Sequence, residues 1–282
     1  MDGILKVVLS RAGEALAGDG TYRDGEGRLR CAVCHEPREE KIPGIEGLCP
    51  VVCSCVRGEQ ERKEKRRRAE EARRKARASP FWAPGYEAMT FALDDAPESE
   101  ASRLCREYVR RWEVMRREDL GLVFSGPLGT GKSFYAAAVV NALLEEGVGA
   151  IMVSSSRLVN LVRAAREPQA LLDELNGFPL AALDDLGAER DTDFAVEVLE
   201  SFINARMLAG RPLLVTTNLT GKQLRQPPDL RYGRIFDRVL ALCPMPVLLT
   251  GPSRRVSMRE ERRRYMEALL APGDSKEPEG SR

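Results

Sequence analysis

Gly126-Pro127-Leu128-Gly129-Thr130-Gly131-Lys132-Ser133 follows the apolar run Gly-Leu-Val-Phe at 121–124 and precedes an alanine-rich stretch at 134–144. This is the G-x-x-x-x-G-K-[ST] phosphate-binding pattern, and its flanks read as the strand and helix that the pattern requires. Glycines let the backbone turn tightly and aim successive N–H groups at phosphate oxygens, and the helix that begins near Lys132 adds its positive end. All eight residues of 126–133 are therefore expected to bind a nucleoside triphosphate, with Lys132 reaching the β- and γ-phosphates and Ser133 binding Mg²⁺. A glycine turn that binds nothing is the bland alternative.

Downstream, the apolar residues Leu180-Ala-Ala-Leu183 run into Asp184-Asp185, a strand ending in two carboxylates. In a phosphate-loop nucleotidase the first such acid holds Mg²⁺ through water and the second polarises the attacking water. Asp184 and Asp185 take those expected roles. Glu more often fills the second, so the shorter Asp185 is expected to slow hydrolysis. A further apolar run ends Val215-Thr216-Thr217-Asn218, placing an amide at the carboxyl edge of a sheet, where open α/β sheets bind ligands. Asn218 is thus a candidate for orienting the lytic water. Arginines at 231, 234, 238, 254 and 255 exceed what solubility needs, and phosphoryl transfer uses arginine to offset charge developing on the γ-phosphate, often from a neighbouring subunit.

Apolar runs at 149–154, 179–183, 212–217 and 246–250 alternate with helical segments, which predicts a parallel sheet covered on both faces. One such helix carries Phe194, Val198, Leu199, Phe202 and Ile203 facing inward, with Asp191 or Thr192 as its cap and Gly210 closing it. Apolar residues from Ala101 to Met115 recur at i, i+3, i+4 and i+7, predicting a single amphipathic helix ahead of the phosphate loop. A short helix is expected over 4–16 and another over 258–270.

The 282 residues carry a net charge of +1, so no global polyelectrolyte behaviour is expected, and no run approaches the length of a membrane span. The opening residues lack a secretory pattern, which predicts a cytoplasmic protein. Locally the balance differs: residues 57–77 hold eleven Lys or Arg against five Glu. This segment reads as a solvated helix with Glu–Lys/Arg pairs, or as a track for single-stranded DNA with Phe81 and Trp82 stacking on bases.

Five of the seven cysteines fall between 31 and 55. Cys31-x-x-Cys34 and Cys53-x-Cys55 supply four thiolates suited to a tetrahedral Zn²⁺, with Cys49 and His35 as spare ligands. A redox pair and unliganded thiols are the alternatives. Cys105 and Cys243 lie in apolar segments and are expected in the core. His35 is the single histidine, which excludes histidine-based hydrolase chemistry elsewhere.

The phosphate loop, Ala-Ala-Leu-Asp-Asp-Leu-Gly-Ala-Glu at 181–189, Thr-Thr-Asn-Leu at 216–219 and Arg-Tyr-Gly-Arg-Ile-Phe-Asp-Arg at 231–238 together resemble the DnaC/DnaI-type bacterial and phage helicase loaders, which are AAA+ ATPases. The resemblance covers roughly residues 85–258. It implies an α/β three-layer sandwich with sheet order 5-1-4-3-2 and a truncated lid, Asn218 as the sensor-one residue, Arg238 as an arginine finger acting in a neighbouring subunit's site, and Arg254 as the sensor-two arginine, with Arg255 an almost equal candidate. It also implies ATP as the nucleotide, self-association through the AAA+ domain, and an N-terminal region that binds the replicative helicase hexamer for loading onto single-stranded DNA. The expected organisation is a helicase-docking zinc module at 1–56, a basic connecting helix at 57–80, the ATPase domain at 81–258 and a C-terminal helix and tail at 259–282. Asp185 is the departure from the family pattern. Two rivals remain: an IstB-type transposition helper ATPase, whose core is similar, and an ATP-responsive helicase adaptor with little hydrolysis.

Overall fold

Residues 20–50 hold too few large apolar side chains to bury a core of their own. Accordingly, the computed structural model shows two short antiparallel ribbons there: β1 (Thr21–Arg23) pairs with β2 (Leu29–Cys31), and β3 (Glu39–Glu40) with β4 (Cys49–Pro50). Asp24 Oδ1 closes the first turn, accepting from the backbone N–H groups of Glu26 and Arg28, both at 3.0 Å. Apart from Arg38, what this segment buries is sulfur, at Cys31, Cys49 and the following Cys53. Helix α1 (Ser54–Ala78) follows. The Glu36 carboxylate accepts from the Ser54 backbone N–H at 2.6 Å, occupying a donor at the helix start that has no partner within the helix.

The structure describes residues 20–188, 192–226 and 232–270. The helix expected over 4–16, Asp191, Arg231 and the C-terminal tail lie outside them. The chain divides into two compact units, Met1–Arg68 and Ala69–Arg282. In the second unit Ala72 and Ala76 of α1 join the hydrophobic core, so the C-terminal part of the connector is packed rather than wholly solvated.

In the second unit α2 (Glu100–Arg110) is capped by Ser99, whose hydroxyl accepts from the Ser102 N–H. The single helix expected here breaks at Arg111, whose φ of −98° and ψ of 19° leave helical geometry before α3 (Trp112–Arg117). Then come β5 (Leu122–Ser125), α4 (Lys132–Glu145), β6 (Ala150–Ser154), α5 (Ser155–Ala164), α6 (Pro168–Asn176), β7 (Leu180–Leu186), α7 (Asp193–Leu208), β8 (Leu213–Thr217), α8 (Gly221–Arg225), α9 (Gly233–Leu242), β9 (Pro246–Leu248) and α10 (Arg254–Leu270). Strands β5–β9 form one parallel sheet in the order β6-β7-β8-β5-β9, which reads 5-1-4-3-2 when strands are counted from β5. Alternate residues of β5, β6 and β8 point to opposite faces, yet nearly all are buried, as a parallel sheet with helices on both faces demands.

Phe124, Tyr135, Phe178, Phe202 and Phe236 fill the core. Each contributes on the order of 1.5–3 kcal/mol by leaving water. Arg206 is also fully buried; its guanidinium donates to the carbonyls of Phe178 at 2.6 Å, Pro179 at 3.0 Å and Pro212, tying together the turns that feed β7 and β8. Cys105 and Cys243 are core residues, with burial pushing both thiols up.

Two expectations are corrected. Phe81 and Trp82 are buried, at 0% and 6% exposure, inside the same core, so neither offers a ring face to a base. Their position after a basic helix suggested a nucleic-acid platform, but the core claimed them. Phe194 sits on the surface at 37% exposure beneath the Arg163 guanidinium, because the inward stripe of α7 begins at Ala195. Thr192 caps that helix, accepting from the Ala195 N–H at 3.2 Å. No helix among the described residues is long and apolar enough to cross a membrane.

Candidate nucleotide-binding site and cysteine cluster

The phosphate loop turns between β5 and α4 through three positive-φ glycines, Gly126 at +146°, Gly129 at +80° and Gly131 at +100°. Two of them are also places of close approach. A Cβ on Gly126 would lie 2.1 Å from the Leu249 carbonyl oxygen, and one on Gly129 would lie 2.0 Å from Ser253 Oγ. The loop is thus clasped by the chain segment leaving β9, and the Arg254 N–H donates to the Gly129 carbonyl at 2.9 Å as α10 begins. Lys132 is buried and donates to the carbonyls of Gly126 at 2.9 Å and Pro127 at 2.7 Å. Burial pulls its ammonium down, while Asp185 and Asp184 oppose that.

Beside the loop lies a cavity of about 710 Å³ whose walls include Lys132, Ser133, Asp185, Asn218, Arg254 and Arg255. Ala88, Met89, Leu93 and Phe134 give it an apolar side. Its size and mixed lining suit a nucleotide.

Asp184, on β7 one residue before Asp185, is 5% exposed and does not itself line the cavity. Thr216 Oγ1 donates to its Oδ1 at 2.6 Å and the Tyr86 hydroxyl to its Oδ2 at 3.1 Å. Between Leu183 and Leu186 the register of β7 against β8 shifts, and Asp185 takes φ +55° within that irregularity. Bulges of this kind re-aim a side chain, here into the cavity. Asp185 is held by its N–H to Thr216 Oγ1 and by its carbonyl from Ser155 Oγ, both at 2.8 Å. Burial and the charge of Asp184 raise its carboxyl. Thr216 therefore touches both acids; the sequence placed it in the Thr-Thr-Asn segment without giving it this contact, and Tyr86 belongs to no motif read from the sequence.

Arg254 pairs with Asp95 at 2.6 Å, donates to the Tyr135 hydroxyl at 3.2 Å and lies over that ring. Arg255 faces the same cavity and is exposed. Arg238 is elsewhere: on α9 it pairs with Glu200 at 2.7 Å and lines a different cavity of about 640 Å³ with Asp193, Glu197, Asn204 and Arg234. The arginine that the sequence singled out for a neighbour's site does not line its own nucleotide cavity.

In the first unit, Cys31, Cys34, Cys53 and Cys55 place their sulfurs within 4.8 Å of one another. Cys31 Sγ and Cys53 Sγ lie 3.4 Å and 3.3 Å from Cys55 Sγ. Tetrahedral Zn–S bonds of about 2.3 Å require S···S edges of about 3.8 Å, so shifts of a few tenths of an ångström would seat the ion and the four residues fit a metal. Backbone N–H groups of Cys34 and Val33 lower the Cys31 thiol to about 6, favouring the thiolate. The spare ligands stay outside: Cys49 is not in the group, and His35 Nδ1 meets the Tyr22 hydroxyl at 3.1 Å.

No family model matches the chain. Among curated proteins it is 28% identical over 148 residues to the replicative helicase loader DnaI of Bacillus subtilis, covering 48% of this chain and 47% of the relative. It is 24% identical over 139 residues to the replicative helicase loader DnaC of Escherichia coli, covering 48% and 54%. An insertion sequence ATP-binding protein of Sinorhizobium fredii is 28% identical over 138 residues, covering 48% and 45%. The chain spans about half the length of the curated relatives it matches. Among solved structures, that of DnaI superposes with a TM-score of 0.52 at 24% identity, covering 62% of this chain and 94% of the other. That of the DnaC helicase loader gives 0.51 at 22%, covering 60% and all of the other. The likeness of this chain is therefore to the DnaI/DnaC-type replicative helicase loaders, with the insertion-sequence ATP-binding proteins as a related second group.

Proposed function

We propose that the chain is an ATP-dependent loader of a replicative DNA helicase onto single-stranded DNA, acting in the cytoplasm as a multi-subunit AAA+ assembly. The observation that carries this reading is the convergence of Lys132, Ser133, Asp185, Asn218, Arg254 and Arg255 on one cavity beside the phosphate loop. The loop's backbone N–H groups and Lys132 would bind the β- and γ-phosphates, Lys132 exchanging the Gly126 and Pro127 carbonyls for phosphate oxygens. Ser133 and Asp184 would hold Mg²⁺, which when bound neutralises charge on those oxygens. Asp185 polarises the attacking water, Asn218 orients it, and Arg254, with Arg255 beside it, contacts the γ-phosphate.

Arg238 serves the neighbouring subunit's nucleotide, a role its distance from its own cavity supports. The four cysteines hold Zn²⁺ in a module that docks on the helicase, and the basic helix α1 tracks the DNA backbone. Co-purification with a hexameric replicative helicase, with and without ATP, tests the assignment. Recovery of the helicase only when both the cysteine module and ATP are intact is expected; failure to bind any replicative helicase would remove the loader reading.

Two other readings stand beside it: an ATP-responsive helicase adaptor with little hydrolysis, drawing on Asp185, and an IstB-type transposition helper ATPase, drawing on the insertion-sequence relative. Replacing Asp185 by Asn separates the adaptor from either ATPase: an adaptor keeps its partner binding and loses nothing measurable in turnover, whereas a loader or a transposition helper loses turnover.

A further inference from the structure

Both oxygens of the Asp184 carboxylate are engaged by neutral hydroxyls, and the two donors have different origins. Thr216 is on the adjacent strand β8. Tyr86 comes from 98 positions upstream, on the short 3₁₀ turn Pro84–Tyr86. That turn is fastened to the phosphate-loop helix, because Asn141 Nδ2 on α4 donates to the carbonyls of Tyr86 and Met89, both at 2.8 Å. The same stretch then supplies Ala88, Met89, Leu93 and Asp95 to the cavity wall. A carboxylate that holds an ion is oriented by the hydrogen bonds it accepts on its other lone pairs, and loss of such a bond weakens ion binding without touching the ligand.

We propose that Tyr86 is a positioning residue for magnesium–nucleotide binding, its hydroxyl fixing the Oδ2 edge of Asp184 so that the carboxylate presents a single orientation to the divalent ion. This rests on reading 126–133 as the phosphate loop and Asp184 as the ion-holding acid. It couples the segment that follows the connector helix to the occupancy of the nucleotide site, since Tyr86 cannot move without disturbing either Asp184 or the Asn141 clamp.

The test compares full-length wild type, Tyr86→Phe and Asp184→Asn by titration with a fluorescent N-methylanthraniloyl ATP, once with Mg²⁺ and once with EDTA. Wild type should bind more tightly with Mg²⁺, and Asp184→Asn should abolish that difference. Tyr86→Phe should weaken binding roughly tenfold with Mg²⁺ while leaving the EDTA affinity unchanged. A purely structural role would lower both affinities together, and that result would overturn the proposal. So would a Tyr86→Phe protein with the full wild-type magnesium advantage in a series where Asp184→Asn has lost it. A wild type without any nucleotide binding would instead defeat the underlying reading of the site, and the proposal with it.

Discussion

Asp185 shows how one residue type answers two demands. Its φ of +55° is a conformation that costs most L residues about 1–2 kcal/mol and that Asp and Asn tolerate best. Replacing it with Glu, the commoner residue for the base, should therefore lower stability by about 1 kcal/mol, measured by denaturant unfolding. Replacing it with Asn should keep the fold and nucleotide affinity yet reduce ATP turnover by roughly 10²-fold or more, the usual worth of a general base. Equal turnover in the Asn variant would remove Asp185 from the chemistry. Lys132, Ser133, Asp184 and Asn218 were legible because each sits at a fixed offset within a local strand–loop pattern. Tyr86, Thr216 and Asp95 were not: their roles depend on contacts across 98, 32 and 159 positions of sequence, where no local spacing carries information.

At the scale of elements, helix α1 is supported by its own charges. Glu64 accepts from Arg67 and Arg68, and those two guanidiniums hold its carboxyl down to about 2. A depressed carboxyl contributes its support fully above the ordinary value of 4.5 and loses it as pH falls from there through about 2. A peptide of residues 54–78 should accordingly lose helical ellipticity on acidification over that window and on adding salt at neutral pH; helicity flat in both would show the pairs to be incidental. Phe81 is a matter of packing rather than of recognition. Its replacement by Ala should cost about 3–5 kcal/mol of stability, and a variant that instead unfolds like wild type and loses DNA affinity would restore the stacking role. The parallel strands were readable from continuous apolar runs bounded by turns, since strands buried on both faces leave no alternation to confuse. The break at Arg111 and the outward turn of Phe194 were not, because apolar spacing continues through both and only the packing surface decides where a helix stops.

For the molecule as a whole, Arg238 offers the clearest test of the proposed assembly. Its salt bridge with Glu200 keeps it on a cavity distinct from its own nucleotide site. If it completes a neighbour's site, the specific ATPase rate should rise with protein concentration, and Arg238→Ala should abolish that rise, by roughly 10³-fold at saturation, while leaving ATP affinity intact. A rate per chain independent of concentration would contradict action in trans. If the basic helix tracks single-stranded DNA, neutralising Arg66, Arg67 and Arg68 together should reduce the salt slope of that binding by about 2, as expected for three phosphate contacts, and an unchanged slope would remove the role.

The turnover outcomes at Asp185 and Arg238 presuppose that the cavity beside residues 126–133 takes a magnesium nucleotide. Isothermal titration calorimetry of the full chain with ATP and Mg²⁺ tests that directly: saturable heat at one nucleotide per chain, abolished in Lys132→Ala, is the predicted result, and no heat in the wild type, or equal heat in the variant, would contradict it.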